Sequence, residues 1–440
     1  MISHATPLTD ESGLSSAGRA LSREELREVL NTALRAGQIM LENGANTARV
    51  EETVHHIGTG LGAEWMDIYV TPQGIIATAV SHGEHRTRIL RITRSGVDLS
   101  RMDAVIDVSR QIDRDELTLD QARAALDRIA LQSRVYSAWQ TTLAVGVACA
   151  AFAVLFGGGL GEFVVVLIAA TVAQYLRHTL LHHNLDRLMT TAIVAAFSSG
   201  IALFTAYGLA SPLLTRLLPA ALALPVAPAT TLAASVLLLV PGVLLVSGTA
   251  DLFRGDIVSG TARATAALLA VMSIGVGVWA MLLITGAQVK ITTATQPNLL
   301  LAMLMGLIAA GGFAVLFDVP LRALPFAALV GMGAVGVRNS STLLGGFPIE
   351  VAAFLGGLTI GTLAELLARW LRVPSSLFAI PGYTPLVPGV PAFRAVLGFV
   401  NDDYLAGLAD TVRATLIIVA IAVVLGTVTA IVRLRQKPIL

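Results

Sequence analysis

Asp251, Arg254, Asp256 and Arg263 stand close together in a stretch otherwise almost free of charge. A charge at a bilayer centre costs roughly 2.5–3.5 kcal/mol or more, so such a cluster needs a reason. Recognition of a zwitterion is one. A carboxylate is held by cations or N–H groups, and an ammonium by carboxylates or carbonyls. Asp251, Arg254 and Arg263 could supply both. Asp318 and Glu365 lie at or near the ends of other apolar runs. Burial raises a carboxyl pKa toward neutrality, which makes them candidates for proton coupling. The plainer alternatives are a solvated loop for the cluster and, for Glu365, an interfacial side chain reaching for water.

Backbone groups could serve the same solute. Pro241 lacks an N–H and clashes with the preceding turn, and Gly242 and Gly248 loosen the chain around it. Pro381, Gly382, Pro385, Pro388, Gly389 and Pro391 argue against a continuous helix there. Carbonyl and N–H groups freed inside a bilayer must find partners. A polar solute or lining water could supply them; the alternative is a kink packed on neighbouring helices.

These residues need a frame. Of 440 residues, 55% are hydrophobic and 13% charged, with a mean hydropathy of +0.75. Soluble domains carry about 25% charged residues. Residues 1–138 hold most of the charge, and beyond Trp139 apolar runs long enough to cross a bilayer follow one another. Ten spans are expected, near 139–157, 162–180, 188–207, 230–247, 264–286, 298–317, 323–340, 349–367, 374–391 and 412–432. The fold class is thus an all-α polytopic membrane protein preceded by a small α+β domain. Eleven Lys and Arg fall at span ends on that domain's side, against Arg216, Lys290, Arg338, Arg394 and Arg413 on the other. This bias puts both termini in the cytoplasm, in keeping with the lack of an apolar signal region at the start. The lone Cys149 excludes an intrachain disulfide and any cysteine-based metal motif. The net charge of +1 gives no ground for a nucleic-acid partner.

Residues 1–21 read as a disordered tail and 22–135 as the soluble domain. Ser22 and Glu25 form a capping box. Leu26, Val29, Leu30, Ala33 and Met40 make one apolar face, where Gly37 would admit a close neighbour. A second helix follows over about 46–61. Two strands lie around Thr71-Pro72-Gln73-Gly74 and a third over "RTRILRIT". Helices near 101–111 and 118–131 lead to the membrane.

The apolar region repeats itself. "FAVLF" occurs at Phe152–Phe156 and Phe313–Phe317, each followed by an arginine, Arg177 and Arg338. Pro241 and Pro381 each precede a Phe-Arg pair at one spacing, and "TARAT" and "TVRAT" place Arg263 opposite Arg413. The halves are then 136–290 and 291–440, each of five spans. Five is odd, so the second half enters from the opposite face, as in alternating-access carriers. On that reading the two "FAVLF" phrases serve a similar gate on each face.

Other signals are weaker. His178, His182 and His183 suit an interfacial cluster better than a metal site, and His55 and His56 lack a partner motif. There is no Walker A sequence, and Gly157–Gly161 reads as a turn rather than a phosphate loop. No cofactor is implied.

"GANTARVEETVHHIGTGLG" (Gly44–Gly62), "PGVLLVSGTADLFRGDIVSGTAR" and "IPGYTPLVPG" resemble the signatures of the bacterial threonine/serine exporter family. The resemblance implies a cytoplasmic N-terminal domain, ten spans in the inner membrane, and antiport of threonine and serine against protons. Two-chain relatives are linked to dicarboxylate export. The motif positions carried over are Gly44, Thr47, Arg49, Val50 and Glu51; Pro241, Gly242, Asp251, Gly255, Gly260 and Arg263; and Pro381, Gly382, Pro388 and Gly389. Asn46 stands where relatives commonly have an acidic residue. The expected solute contacts are Pro241, Gly242, Asp251, Arg254, Arg263, Pro381, Gly382, Pro388, Gly389 and Arg413. Three functions stay open: an amino-acid exporter, a dicarboxylate exporter using Arg254, Arg263, Arg394 and Arg413, and a membrane-anchored enzyme or sensor using Glu51, Glu52, His55 and His56. The partners are a small polar solute, protons and lipid; homo-oligomerisation is compatible with all three.

Overall fold

The computed structural model describes residues 21–209, 226–287, 289 and 296–436. The expected tail falls outside these, except that Leu21 packs against Gly62 at the edge of the soluble core. The boundary between halves at residues 290 and 291 also lies outside them.

Helix α1 (Arg23–Glu42) starts with the Ser22–Glu25 capping box, and α2 (Thr47–Gly60) is capped by the Asn46 side chain. Strands β1 (Trp65–Thr71), β2 (Gly74–Ser81) and β3 (Glu84–Arg91) form an antiparallel meander. A Cβ on Gly37 would lie 2.6 Å from Val54 and 2.8 Å from Ile75, so α1 approaches both α2 and β2 where it has no side chain. Helices α3 (Leu99–Ile112) and α4 (Leu119–Leu131) complete this unit.

The apolar region follows as α5 (Ala138–Leu155), α6 (Leu160–His182), α7 (Arg187–Leu209), α8 (Pro228–Ser235), α9 (Gly242–Phe253) and α10 (Ile257–Thr285). Then come α11 (Leu299–Leu316), α12 (Leu324–Leu343), α13 (Ile349–Leu371), α14 (Ser376–Tyr383), α15 (Gly389–Val400) and α16 (Tyr404–Gln436). Among the described residues, α5, α6, α7, α10, α11, α13 and α16 are long and apolar enough to cross a membrane, and Pro228–Leu239 with α9 makes a pair bent by 64°. The chain is therefore a multi-pass membrane protein. Small residues bring these helices together. A Cβ on Gly277 would collide with the Ala192 carbonyl, and one on Gly312 would lie 2.5 Å from the Ala144 carbonyl.

The two groups of helices match in order. Helices α5 and α11 both have 18 residues, α7 and α13 both 23, α8 and α14 both 8, and α9 and α15 both 12. Both "FAVLF" phrases end their helix identically. Phe156 and Phe317 bond back to Phe152 and Phe313, and the next residue, Gly157 or Asp318, turns left-handed at φ 88° and 58°. The phrases do not stand apart as gates. Phe152 and Phe313 meet edge to face at 6.0 Å between centroids, so this phrase joins the halves.

The structure also moves the alignment. "LVPGV" occurs at Leu239–Val243 and Leu386–Val390, and the breaks fall there. Pro241 therefore corresponds to Pro388, not Pro381, which lies inside α14. The same step of 147 positions takes the start of α10, Ile257, to that of α16, Tyr404. Arg263 then corresponds to Asp410, and the pairing with Arg413 was a slip of nearly one helical turn.

Candidate functional site

Each break is built by one proline. Leu237–Leu239 forms a 3₁₀ turn after α8, and Gly242 N–H then bonds back to the Val240 carbonyl at 2.8 Å. Pro241 between them has φ −80° and ψ 56°, an inverse γ-turn. In the second half Thr384–Leu386 forms the 3₁₀ turn, Gly389 N–H bonds to the Val387 carbonyl at 2.7 Å, and Pro388 has φ −75° and ψ 63°. The breaks touch. A Cβ on Gly242 would lie 3.0 Å from Val387, and one on Gly389 would lie 2.5 Å from Leu237. Two helix N-termini, α9 and α15, thus start beside each other within the apolar bundle, each with first-turn N–H groups that lack intrahelical acceptors.

The charged cluster lies at the far end of α9. Asp251 is fully buried, and its Oδ2 is 3.2 Å from Nε of the buried Arg263. The approach is oblique, so neither atom gains a well-directed hydrogen bond. Glycines make the approach possible: a Cβ on Gly248 would lie 3.0 Å from the Arg263 Cβ, and one on Gly260 2.5 Å from Leu252. Arg254 is a looser neighbour at 3.9 Å and one-third exposed.

The soluble unit covers the pair. Arg263 Nη2 donates to the Ala45 carbonyl at 3.0 Å. The Thr47 hydroxyl, itself fully buried, lies 3.0 Å from Asp256 Oδ2 and 3.4 Å from Asp251 Oδ1. It has one proton to give, so it serves one carboxylate at a time. Ser259 donates to the Val70 carbonyl, and Leu99 N–H to the Phe317 carbonyl. Glu51 faces the same carboxylates. Burial first, then Asp256 and more weakly Asp251, push its carboxyl above the ordinary 4.5, and a backbone hydrogen bond from Val70 pulls the other way.

Of the expected solute contacts, Pro241, Gly242, Pro388 and Gly389 meet at the breaks, and Asp251, Arg254 and Arg263 meet under the soluble unit. Pro381 is buried inside α14, and a Cβ on Gly382 would lie 2.8 Å from Val330, so Gly382 packs α14 onto α12. Arg413 joins neither group. It is half-exposed and pairs with Glu350 at 3.5 Å and Asp410 at 3.6 Å. Asp318 is buried, and its oxygens accept N–H donors from Val135 and Tyr136. Glu365 is half-buried on α13. His56 pairs with Asp113 and His55 lies edge-on to Trp65, and among the described residues no three His, Cys, Asp or Glu come together as a metal site. His178, His182 and His183 line a cavity of about 500 Å³ with Trp139 and Tyr175.

A family model described as "Putative threonine/serine exporter" matches residues 31–285, and a second, "Threonine/Serine exporter, ThrE", matches residues 302–431. The chain belongs to the threonine/serine exporter family. It is 27% identical over 91% of its length to a "Probable threonine/serine exporter" of Mycobacterium tuberculosis, covering 76% of that protein. It is 31% identical to a "Probable succinate transporter subunit YjjP" of Klebsiella aerogenes, over 58% of this chain and 93% of that one. The Escherichia coli K12 protein of the same name is 30% identical, over 61% of this chain and 99% of that one. No solved structure matches. This is a family of transporters, not enzymes.

The ThrE signatures come together in space. Gly44, at φ 95°, turns the chain so that Ala45 and Thr47 face α9 and α10. Gly255, at φ 89°, turns α9 into α10, which returns Arg263 to Asp251. Sequence reasoning named Thr47 only as a motif position and Glu51 as a motif position and a candidate enzyme or sensor residue, and it gave the soluble unit no role in a carrier. It also missed Arg338, whose Nη1 donates to the Pro385 carbonyl at the second break at 3.2 Å. The signal for it was its repetition with Arg177 after "FAVLF".

Proposed function

We propose that this chain is a secondary exporter of threonine and serine in the bacterial cytoplasmic membrane, driven by the proton motive force. The observation that carries the reading is the contact between two Pro-Gly breaks at equivalent places in the two halves, with a buried Asp251–Arg263 pair at the far end of α9. Broken helices that expose N–H and carbonyl groups at the midplane are where carriers hold polar solutes. Residues 136–290 and 291–440 form two inverted halves of five crossings each, and residues 22–135 lie in the cytoplasm with both termini. Equal helix lengths in four of the six pairs, α5 with α11, α7 with α13, α8 with α14 and α9 with α15, support this arrangement.

At the cytoplasmic end Arg263 takes the solute carboxylate and Asp251 its ammonium, with Arg254 at the rim. Ala45 and Thr47 hold these groups when the soluble domain is docked, so the domain closes that mouth. Of the two carboxylates named for proton coupling, Glu365 is the better, because Asp318 already accepts backbone donors from Val135 and Tyr136. A dicarboxylate substrate is the second reading, favoured by the identity to the succinate transporter subunits. Counterflow of labelled threonine, serine and succinate into proteoliposomes, with and without a pH gradient, tests both. Threonine and serine uptake that grows with the gradient is expected. Uptake of succinate alone selects the second reading, and uptake of none of the three ends both.

A further inference from the structure

Arg338 stands half-buried on α12, in surroundings that do not neutralise it. Its hydrogen bonds go to neutral acceptors: Nε donates to Asn339 Oδ1 at 3.0 Å and Nη1 to the Pro385 carbonyl at 3.2 Å. Arg263, Arg322 and Arg413 each stand beside a carboxylate. Among the described residues none lies within ion-pair reach of Arg338. A charge withdrawn from water without a counter-charge is costly, and an ionisable side chain within a membrane is by default a sign of function.

The position is specific. Pro385 belongs to the 3₁₀ turn between α14 and α15, so the guanidinium sits at the second break. The buried Asn339 holds one edge of it and the freed carbonyl another. A guanidinium has five N–H donors in a planar fork, and two are spent here. The remaining donors suit a carboxylate, which accepts two parallel hydrogen bonds from such a fork. Arg263 differs, because Asp251 and the Ala45 carbonyl already occupy it while the soluble domain is docked.

We propose that Arg338 receives the carboxylate of the transported solute at the second break. This rests on the carrier reading above. The solute passes from the Arg263–Asp251 pair at the domain-side mouth to Arg338, which supplies the counter-charge that Arg263 exchanges for Asp251 and Ala45 when the mouth closes. A solute without a carboxylate gains nothing from Arg338, so this residue sets the preference for acids over their amides.

The test uses the full chain in proteoliposomes, with labelled threonine counterflow and unlabelled threonine or threoninamide as competitors. In the wild type threonine competes far better than threoninamide. Arg338→Gln raises the KM for threonine roughly 10- to 100-fold, as expected for losing hydrogen bonds to a charged group, and competes the two equally. Arg338→Lys keeps the charge but not the fork and falls between them. Full discrimination by Arg338→Gln overturns the assignment and leaves Arg338 a prop for the break. Should that variant fail to insert, phenylglyoxal labelling of wild-type Arg338, followed by peptide mass spectrometry, decides. Threonine slows labelling and threoninamide does not; no slowing, or equal slowing by both, overturns it. Wild-type vesicles that transport none of threonine, serine and succinate sink the carrier reading instead.

Discussion

The junction between α9 and α10 and the junction between α15 and α16 share one backbone and differ in side chains. Asp256 N–H bonds to the Asp251 carbonyl at 3.0 Å, and Asp403 N–H to the Gly398 carbonyl at 2.8 Å. Gly255 and Asp402 both take positive φ, at 89° and 59°. Gly260 and Gly407 both bond back four residues, to Asp256 and Asp403. On this common frame the first junction places Asp251 and Arg263, buried under the soluble unit. The second places Gly398 and Asp410, with Tyr404 and Leu405 largely exposed beside them. The backbone of a repeat is set by its turns, which glycine and a left-handed aspartate satisfy equally well. The charge is set by what must be covered or bound, and among the described residues only the first junction has a cover.

The comparison breaks most easily at the ion pair. Asp251→Asn or Arg263→Ala leaves a buried charge without its partner, a loss of about 3–5 kcal/mol. Threonine counterflow should fall at least about 100-fold, while membrane insertion is retained. Arg413→Ala removes a half-exposed pair worth about 0–1 kcal/mol and should leave transport within about twofold. Equal losses at both junctions would mean that the charge difference between the halves has no functional weight.

Much of this frame was legible in the sequence, and the illegible parts have physical causes. Helix and strand positions followed from apolar periodicity and from caps such as Ser22–Glu25 and Asn46, which act within a few residues. The breaks followed from Pro241 and Pro388, because proline acts locally. The register between halves did not follow. Pro381 and Arg413 offered matches as good as Pro388 and Asp410 on paper, and only the turn geometry separates them. Nor did the contacts of Asp251 follow, since Thr47 and Ala45 lie some two hundred positions away and long-range docking leaves no local pattern. Asp318 drew attention as a buried carboxylate, yet its partners are backbone N–H groups just ahead of α5, and a sequence does not display such partners.

Glycine substitutions sharpen the same contrast. A Cβ on Gly260 would lie 2.5 Å from Leu252 Cγ, and one on Gly398 would lie 2.6 Å from Gly407 N, so both junctions are equally tight. Alanine at either position should cost about 1–3 kcal/mol of stability through overpacking, read as a lower thermal midpoint of the purified protein. Only Gly260→Ala, which displaces α10 from α9 and with it Arg263 from Asp251, should also lose transport. A transport loss in Gly398→Ala of the same size would count against the asymmetry.

A smaller effect is expected at the cover itself. Thr47→Val keeps the shape and removes the hydroxyl shared by Asp256 and Asp251, at a cost of about 1–3 kcal/mol for unsatisfied buried acceptors. Amide hydrogen exchange over residues 45–51 should quicken, with exchange at residues 402–410 unchanged. Unaltered exchange over both segments would show that the hydroxyl contributes little to docking.

The smallest effect is a pH dependence confined to the covered junction. Burial, with Asp256 and Asp251, holds the Glu51 carboxyl above its ordinary 4.5 while the soluble unit is docked. Lifting the unit returns Glu51 to water and to that ordinary value. The docked form therefore holds its proton more tightly than the undocked form, and docking is strongest below the ordinary value. It weakens as pH rises through the raised one. Hydrogen exchange over residues 45–51 should accordingly speed up from pH 5 to pH 8, beyond the intrinsic rise of exchange with pH, which exchange at residues 402–410 measures in the same sample. Glu51→Gln carries no charge at any of these values and should remove the excess. Docking that tightens with rising pH would reverse the sign required by Glu51 and would assign the pH response to another group at the junction.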